Sequence, residues 1–125
     1  MAEKLFISWE EYNSTVEKLA IQIADSGYKP DILIGIMRGG APIIDVLSRV
    51  FKLKCAYLAV ESYSGKGIED QQGQLTFSRE MSSTVKDLGG NLLLCDDLSD
   101  TGITLNRSID WLKKYPPLKG KIKDI

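Results

Sequence analysis

Residues 92–105 read Leu-Leu-Leu-Cys-Asp-Asp-Leu-Ser-Asp-Thr-Gly-Ile-Thr-Leu. An apolar run delivers two carboxylates, and a turn rich in hydroxyls and glycine then opens into a helix. At the mouth of a buried strand, Asp96 and Asp97 can accept hydrogen bonds from vicinal hydroxyls or help hold Mg2+. The first amides of a helix point at an anion, and the helix dipole favours negative charge there. Thr101 and Thr104 add hydroxyl donors, and Gly102 lets the backbone approach a phosphate. One loop thus offers a carboxylate end for a ribose diol and an amide end for its 5′-phosphate.

Such a loop needs a strand behind it and a helix ahead, and the surrounding pattern predicts both. Leu92–Cys95 is a buried strand, and Leu105, Ile109 and Leu112 form the inner face of a helix that Pro116-Pro117 stops. Upstream, Ser8-Trp-Glu-Glu11 has the form of a capping box. Tyr12, Val16, Leu19, Ala20 and Ile23 give the helix after it an apolar face, and Gly27 and Pro30 end it. Ile32–Met37 and Cys55–Val60 are continuous apolar runs, as in strands buried on both faces. Between them Arg38-Gly-Gly-Ala-Pro42 breaks the chain and starts a second helix, with Ile43, Val46, Leu47 and Val50 turned inward. Residues 62–74 are polar and Gly-rich, a mobile excursion before a short strand near Leu75–Arg79. Trp9 and Trp111 read as packing residues, and the lysines from 113 to 123 as a solvated surface. Strand–helix–strand alternation with non-alternating strands means an α/β domain with a mostly parallel sheet.

Composition narrows the chemistry. The 125 residues are 43% hydrophobic and 26% charged, with a net charge of −1. That suits one ordinary globular domain and supplies no global positive field for nucleic acid. There is no histidine, so His-based triads, His-ligated metals and imidazole acid–base mechanisms are excluded. Cys55 and Cys95 lack CxxC spacing and sit in apolar runs, as buried, reduced thiols do. No apolar run approaches the ~18 residues of a membrane span. A soluble, cytoplasmic protein is expected.

The acidic pair followed by Leu-Ser-Asp-Thr-Gly-Ile-Thr resembles the phosphoribosyl-pyrophosphate (PRPP) signature of type I phosphoribosyltransferases (PRTases). Gly35-Ile-Met-Arg-Gly-Gly40 is similar to that family's pyrophosphate loop, and Ser62-Tyr63 to the dipeptide that opens its flexible catalytic loop. The three lie in the family's order along roughly residues 30–112, within a Rossmann-like sheet flanked by helices. The resemblance implies that Asp96 and Asp97 hold the ribose hydroxyls, with Asp97 the metal candidate for Mg2+. Leu98, Ser99, Asp100, Thr101, Gly102, Ile103 and Thr104 would form the 5′-phosphate cradle. Arg38 and Gly39 would take pyrophosphate, for which a guanidinium's planar fork is apt. The Met37–Arg38 peptide becomes the candidate for a cis bond. Arg79 is either a second pyrophosphate contact or a solvated surface cation.

Asp100 points to the substrate. In members acting on 6-oxopurines an aspartate stands here beside N7 of the base, where it can shuttle the proton lost as the purine attacks C1′. The implied activity is purine phosphoribosyl transfer in nucleotide salvage by a Mg2+-dependent homodimer or higher homo-oligomer. The alternative is a PRPP- or nucleotide-sensing regulator without turnover, because fold alone does not decide function. Residues 1–125 read as a single domain. The family continues past this point to a lysine and a stacking aromatic that read the base, so a fold cut short after the PRPP-loop helix is expected, with base recognition only partly encoded.

Overall fold

Hydrogen bonding by Ser8 begins the first helix as the sequence predicts. In a computed structural model, which describes residues 7–62, 75–97 and 102–125, the Ser8 hydroxyl accepts from the Glu11 amide at 3.1 Å. The Glu11 carboxylate in turn accepts from the Ser8 amide at 3.2 Å. Helix α1 runs Trp9–Ser26 and stops at Gly27, whose φ of 80° is the left-handed conformation that glycine adopts without strain. Strand β1 (Ile32–Met37) follows, then α2 (Gly40–Phe51), β2 (Lys54–Ser62), β3 (Leu75–Phe77), β4 (Ser82–Ser83), β5 (Gly90–Cys95), α3 (Ile103–Lys114), a 3-10 turn (Pro116–Leu118) and β6 (Ile122–Asp124).

The six strands form one sheet in the order β3-β2-β1-β5-β6, with β4 also on β2. The pairs β1–β2, β1–β5 and β5–β6 are parallel, whereas β3 and β4 run antiparallel to β2. Central β1 is buried from Ile32 to Ile36 because helices cover both faces. On one side Leu33 packs with Val16, Ile43, Ile44, Leu47 and Cys95 from α1, α2 and the end of β5. On the other, Ile32 and Ile34 join Leu58, Leu92, Leu112 and Leu118 beneath α3 and the 3-10 turn. A Cβ on Gly35 would stand 2.7 Å from the Ile44 side chain, so its absence lets α2 lie close on β1.

Several expectations change in three dimensions. Val50 is 56% exposed, while Ile44 is fully buried and Phe51 packs on the core. At 100° per residue, the inward arc of α2 is centred between Ile43 and Ile44, which turns Phe51 rather than Val50 toward the sheet. Trp9 is 76% exposed and meets Tyr12 edge-on rather than entering the core. Trp111 does pack, stacked between Phe77 and Tyr115. Cys95 is buried, but Cys55 only half so. Leu93 and Leu94 are likewise half-buried. On α3 the fully buried positions are Ser108 and Leu112, with Leu105 and Ile109 beside them partly covered. Strand β3 ends at Phe77, short of Arg79, and the two-residue β4 had no apolar pattern to announce it.

Candidate active site

The order in which the chain lays down its strands reverses between the parallel strands β1 and β5. From β1 the path goes outward to β2 on one side, while β5 and β6 lie on the other. In open α/β sheets the crevice beyond the carboxyl ends at such a switch point is where ligands bind. Register fixes which residues meet there. Cys95 pairs with Gly35, so Asp96 and Asp97, the next two residues of that chain, emerge level with the last residues of β1 and the Arg38–Gly39 turn.

Gly39 records how close the two loops come. Its backbone is ordinary right-handed (φ −64°, ψ −30°), so no conformational demand calls for glycine. The demand is space, because a Cβ here would fall on the Asp97 carboxylate. The next residue, Gly40, is buried, and a Cβ on it would run into the Cys95 carbonyl oxygen. Gly102 is the converse case: it needs glycine for its left-handed φ of 77°, while a Cβ would meet only Asn106 Nδ2 at an ordinary contact distance of 3.7 Å.

Helix ends behave differently on this edge. α1 caps itself and carries Glu10 and Glu11 in its first turn. Among the described residues neither α2 nor α3 has a side-chain cap or an acidic first turn. Their positive dipole ends favour an anion, although in α2 the Ala41 amide already donates to the Arg38 carbonyl at 3.1 Å and Pro42 has no amide to offer. Thr104, half-buried, and Ile103, 46% exposed, stand in the first turn of α3, while Lys113 and Lys114 complement the dipole at its far end.

The acidic pair is not symmetric. The Asp97 amide donates to Asp96 Oδ1 at 2.8 Å. Burial pushes the Asp96 carboxyl above the ordinary 3.8, the Asp97 amide bond works against this, and the neighbouring Asp97 carboxylate adds to it. A raised carboxyl holds its proton more tightly in the folded chain than in the unfolded one. Its stabilisation is therefore complete below pH 3.8 and is lost as pH rises through the higher folded value. Asp96→Asn is expected to melt above the parent chain at neutral pH, with the gap closing toward pH 3. Thermal melts across pH check this, and a gap that ignores pH would show that the Asp96 charge is not the cause. Next door, burial lifts the Cys95 thiol to about 11, so it remains protonated and unreactive at neutral pH.

Arg38 is exposed, and among the described residues it makes no ion pair. It lines a cavity of about 460 Å3 with Met37, Ala59, Val60, Glu61, Thr76, Phe77 and Ser78. The Met37–Arg38 peptide is cis, as the resemblance implied. Arg79 is exposed on the outer edge, one residue past Ser78 and outside that lining. Ser62 ends β2, paired with Leu75. Tyr63, Leu98, Ser99, Asp100 and Thr101 lie outside the described residues. Sequence patterning also missed Tyr12, which lines a cavity of about 270 Å3 with Ile7, Trp9, Gly39, Pro42 and Asp97. Its helical spacing marked it only as core.

The phosphoribosyl transferase domain model matches residues 8–123. The chain belongs to this family. It is 29% identical over 119 residues to the hypoxanthine-guanine phosphoribosyltransferase of Aquifex aeolicus, covering 91% of this chain and 64% of that one. With the enzyme of the same name from Streptococcus pneumoniae strain R6 it shares 27% over 123 residues, covering 96% and 66%. The chain therefore spans just under two thirds of these relatives. Among solved structures, the purine phosphoribosyltransferase of Pyrococcus horikoshii superposes with a TM-score of 0.68 at 26% identity, over 96% of this chain and 74% of that one. The Helicobacter pylori xanthine-guanine-hypoxanthine enzyme, at 24% identity and a TM-score of 0.70 over 94% and 72%, shares the fold. Among the described residues no helix is long and apolar enough to cross a membrane.

Proposed function

We propose that this chain is a PRPP-dependent phosphoribosyltransferase acting on a 6-oxopurine, yielding a nucleoside monophosphate and pyrophosphate. The observation that carries the proposal is the Gly39–Asp97 approach. It sets the Arg38 loop against the acidic pair at the switch point, beside the N-termini of α2 and α3. A ligand carrying a diol, a monophosphate and a diphosphate matches that distribution of acceptors, amides and guanidinium.

Asp96 and Asp97 accept from the ribose hydroxyls, and residues 98–104 surround the 5′-phosphate. Arg38 and the Gly39 amide meet the pyrophosphate, with Arg79 a further cation at the outer edge. Asp100 is assigned the proton from the purine nitrogen. Charge leaving C1′ toward the pyrophosphate is stabilised best by donors already aimed at it, the role of Arg38 and the α2 N-terminus.

Magnesium fits the donor set. Mg2+ is held by one or two carboxylates together with substrate phosphates rather than by an all-protein cage. The adjacent Asp96 and Asp97 meet that need, although no cluster of three or more ligating side chains exists among the described residues. Asp97 is the favoured ligand, and the ion would supply charge neutralisation on the diphosphate. The reading takes residues 1–125 as one domain, working in the cytoplasm as a homo-oligomer.

The test is chromatographic detection of nucleotide from PRPP and Mg2+ with guanine, hypoxanthine, xanthine, adenine, uracil and orotate in parallel. Conversion of a 6-oxopurine alone supports the proposal. Conversion only of adenine or orotate overturns the substrate class. PRPP binding without product points instead to a fragment that lacks part of the base site or to a sensor of the same fold.

A further inference from the structure

Strand β3 is three residues long and lies at the edge of the sheet. Through Phe77, and the Ser78 that follows it, this segment walls the Arg38 cavity. Its strand partner is β2, where Val60 pairs with Phe77. The Ser78 amide donates to the Ala59 carbonyl at 2.9 Å, and the Ala59 amide donates back to the Ser78 hydroxyl at 3.3 Å. Ala59 is itself level with Met37, the residue before Arg38. So short a strand, paired on one side, is weakly fixed by its ladder alone, and a second hold comes from α3. The Trp111 ring stacks on Phe77 with centroids 6.2 Å apart and planes at 11°, and Tyr115 backs Trp111 at 4.6 Å and 22°. The Tyr115 hydroxyl also accepts from the Met81 amide at 3.2 Å. Two residues about one turn apart at the end of α3 thus grip the segment at both Phe77 and Met81. Neither Trp111 nor Tyr115 lines the cavity, so any effect they have on a ligand there passes through that segment. Arg38 brings the lining its one cation, and its one carboxylate, Glu61, is exposed. The plain structural account is aromatic packing, since Phe77, Met81 and Trp111 border the same core as Val60. Packing alone shows in stability, whereas a hold on the wall also shows in what the cavity binds.

We propose that Trp111 and Tyr115 are positioning residues for the Arg38 cavity: their grip on Phe77 and Met81 fixes the wall against which a diphosphate meets the guanidinium. The inference rests on the reading of Arg38 as the pyrophosphate contact. It gives α3 work at both ends, the first turn toward the 5′-phosphate and the last turn steadying the diphosphate. Arg79 lies between the two gripped residues and comes under the same hold.

The experiment compares Trp111→Leu, Trp111→Phe and Tyr115→Phe with the parent chain by thermal melting and by titration with pyrophosphate and, separately, ribose 5-phosphate, both in Mg2+. Trp111→Leu is expected to lose about tenfold in pyrophosphate affinity, the scale of coupling between packed neighbours, while keeping the parent's affinity for ribose 5-phosphate. Trp111→Phe keeps an aromatic face for Phe77 and should recover most of that loss. Tyr115→Phe removes only the hydroxyl held by Met81 and should bind pyrophosphate about threefold more weakly, the scale of one neutral hydrogen bond. Should Trp111→Leu not fold, Tyr115→Phe decides alone. Parent-like pyrophosphate affinity in the variants, with lower melting as their only defect, overturns the inference and leaves a packing cluster. Equal losses for both ligands also overturn it, as a general loosening of the fold. A parent chain that binds no pyrophosphate overturns it together with the Arg38 assignment. A parent chain that binds pyrophosphate, shows the expected losses in its variants and forms no nucleotide supports the inference and counts against the proposed function alone.

Discussion

Gly39→Ala is expected to leave a folded chain that melts within a degree or two of the parent and binds PRPP about a hundredfold more weakly. The backbone at Gly39 is right-handed and tolerates any residue, so alanine adds no conformational strain. Its methyl group would occupy the place of the Asp97 carboxylate. Asp97 is exposed and can rotate away, which relieves the clash at little cost in stability. What is lost is the orientation of an acceptor for two charge-assisted hydrogen bonds. At about 1.5 kcal/mol each, these amount to about two powers of ten in affinity. Calorimetric titration with PRPP and Mg2+ checks this, and an unchanged affinity would remove Asp97 from the ligand contacts.

Gly40→Ala, one residue along, is expected to do the opposite and damage the fold. Here the added methyl meets the Cys95 carbonyl, with Cys95 carbon and Asp96 Cα close behind. These are backbone atoms at the end of β5 and of the residue after it, held in register on β1 through Gly35–Cys95. No side chain can swing aside, so α2 must lift from the sheet and the packing of Ile44 and Leu47 loosens with it. Overpacking of this kind costs about 3 kcal/mol, a fall of roughly ten degrees in melting temperature for a domain of this size. Thermal or urea unfolding measures it. A parent-like melt would mean that the α2–β5 contact is looser than the geometry shows. Two neighbouring glycines would thus separate a requirement for ligand space from a requirement for backbone contact.

Much of this was legible in the chain. The capping box at Ser8–Glu11, the stop at Gly27 and the apolar runs of β1 and β2 are local signals, set by residues within a few positions of one another, and each element stands where its signal lies. The acidic pair before a glycine-bearing helix start was equally plain, because the spacing itself carries the chemistry. Illegible features were those that depend on a partner distant in sequence. Trp9 has the spacing of a core residue and is exposed, because nothing in the local pattern says which end of α1 the rest of the fold covers. Val50 and Phe51 exchanged roles because a small rotation of α2 on the sheet chooses between them. Ser82–Ser83 pairs with β2 through its backbone, which leaves no mark on side-chain pattern.

The sequence by itself determined the family, the α/β class, the order of the elements and the two loops able to carry ligand chemistry. Each is written in short-range patterns of apolar, acidic and glycine residues. Only the tertiary structure decided that the loops from β1 and β5 touch through Gly39 and Asp97, that two adjacent glycines answer to different neighbours, and that Tyr12 lines a cavity with Asp97. Those facts follow from strand register and helix placement. One residue of register moves a side chain to the other face of the sheet, and no local pattern at positions 12, 39 or 97 encodes it.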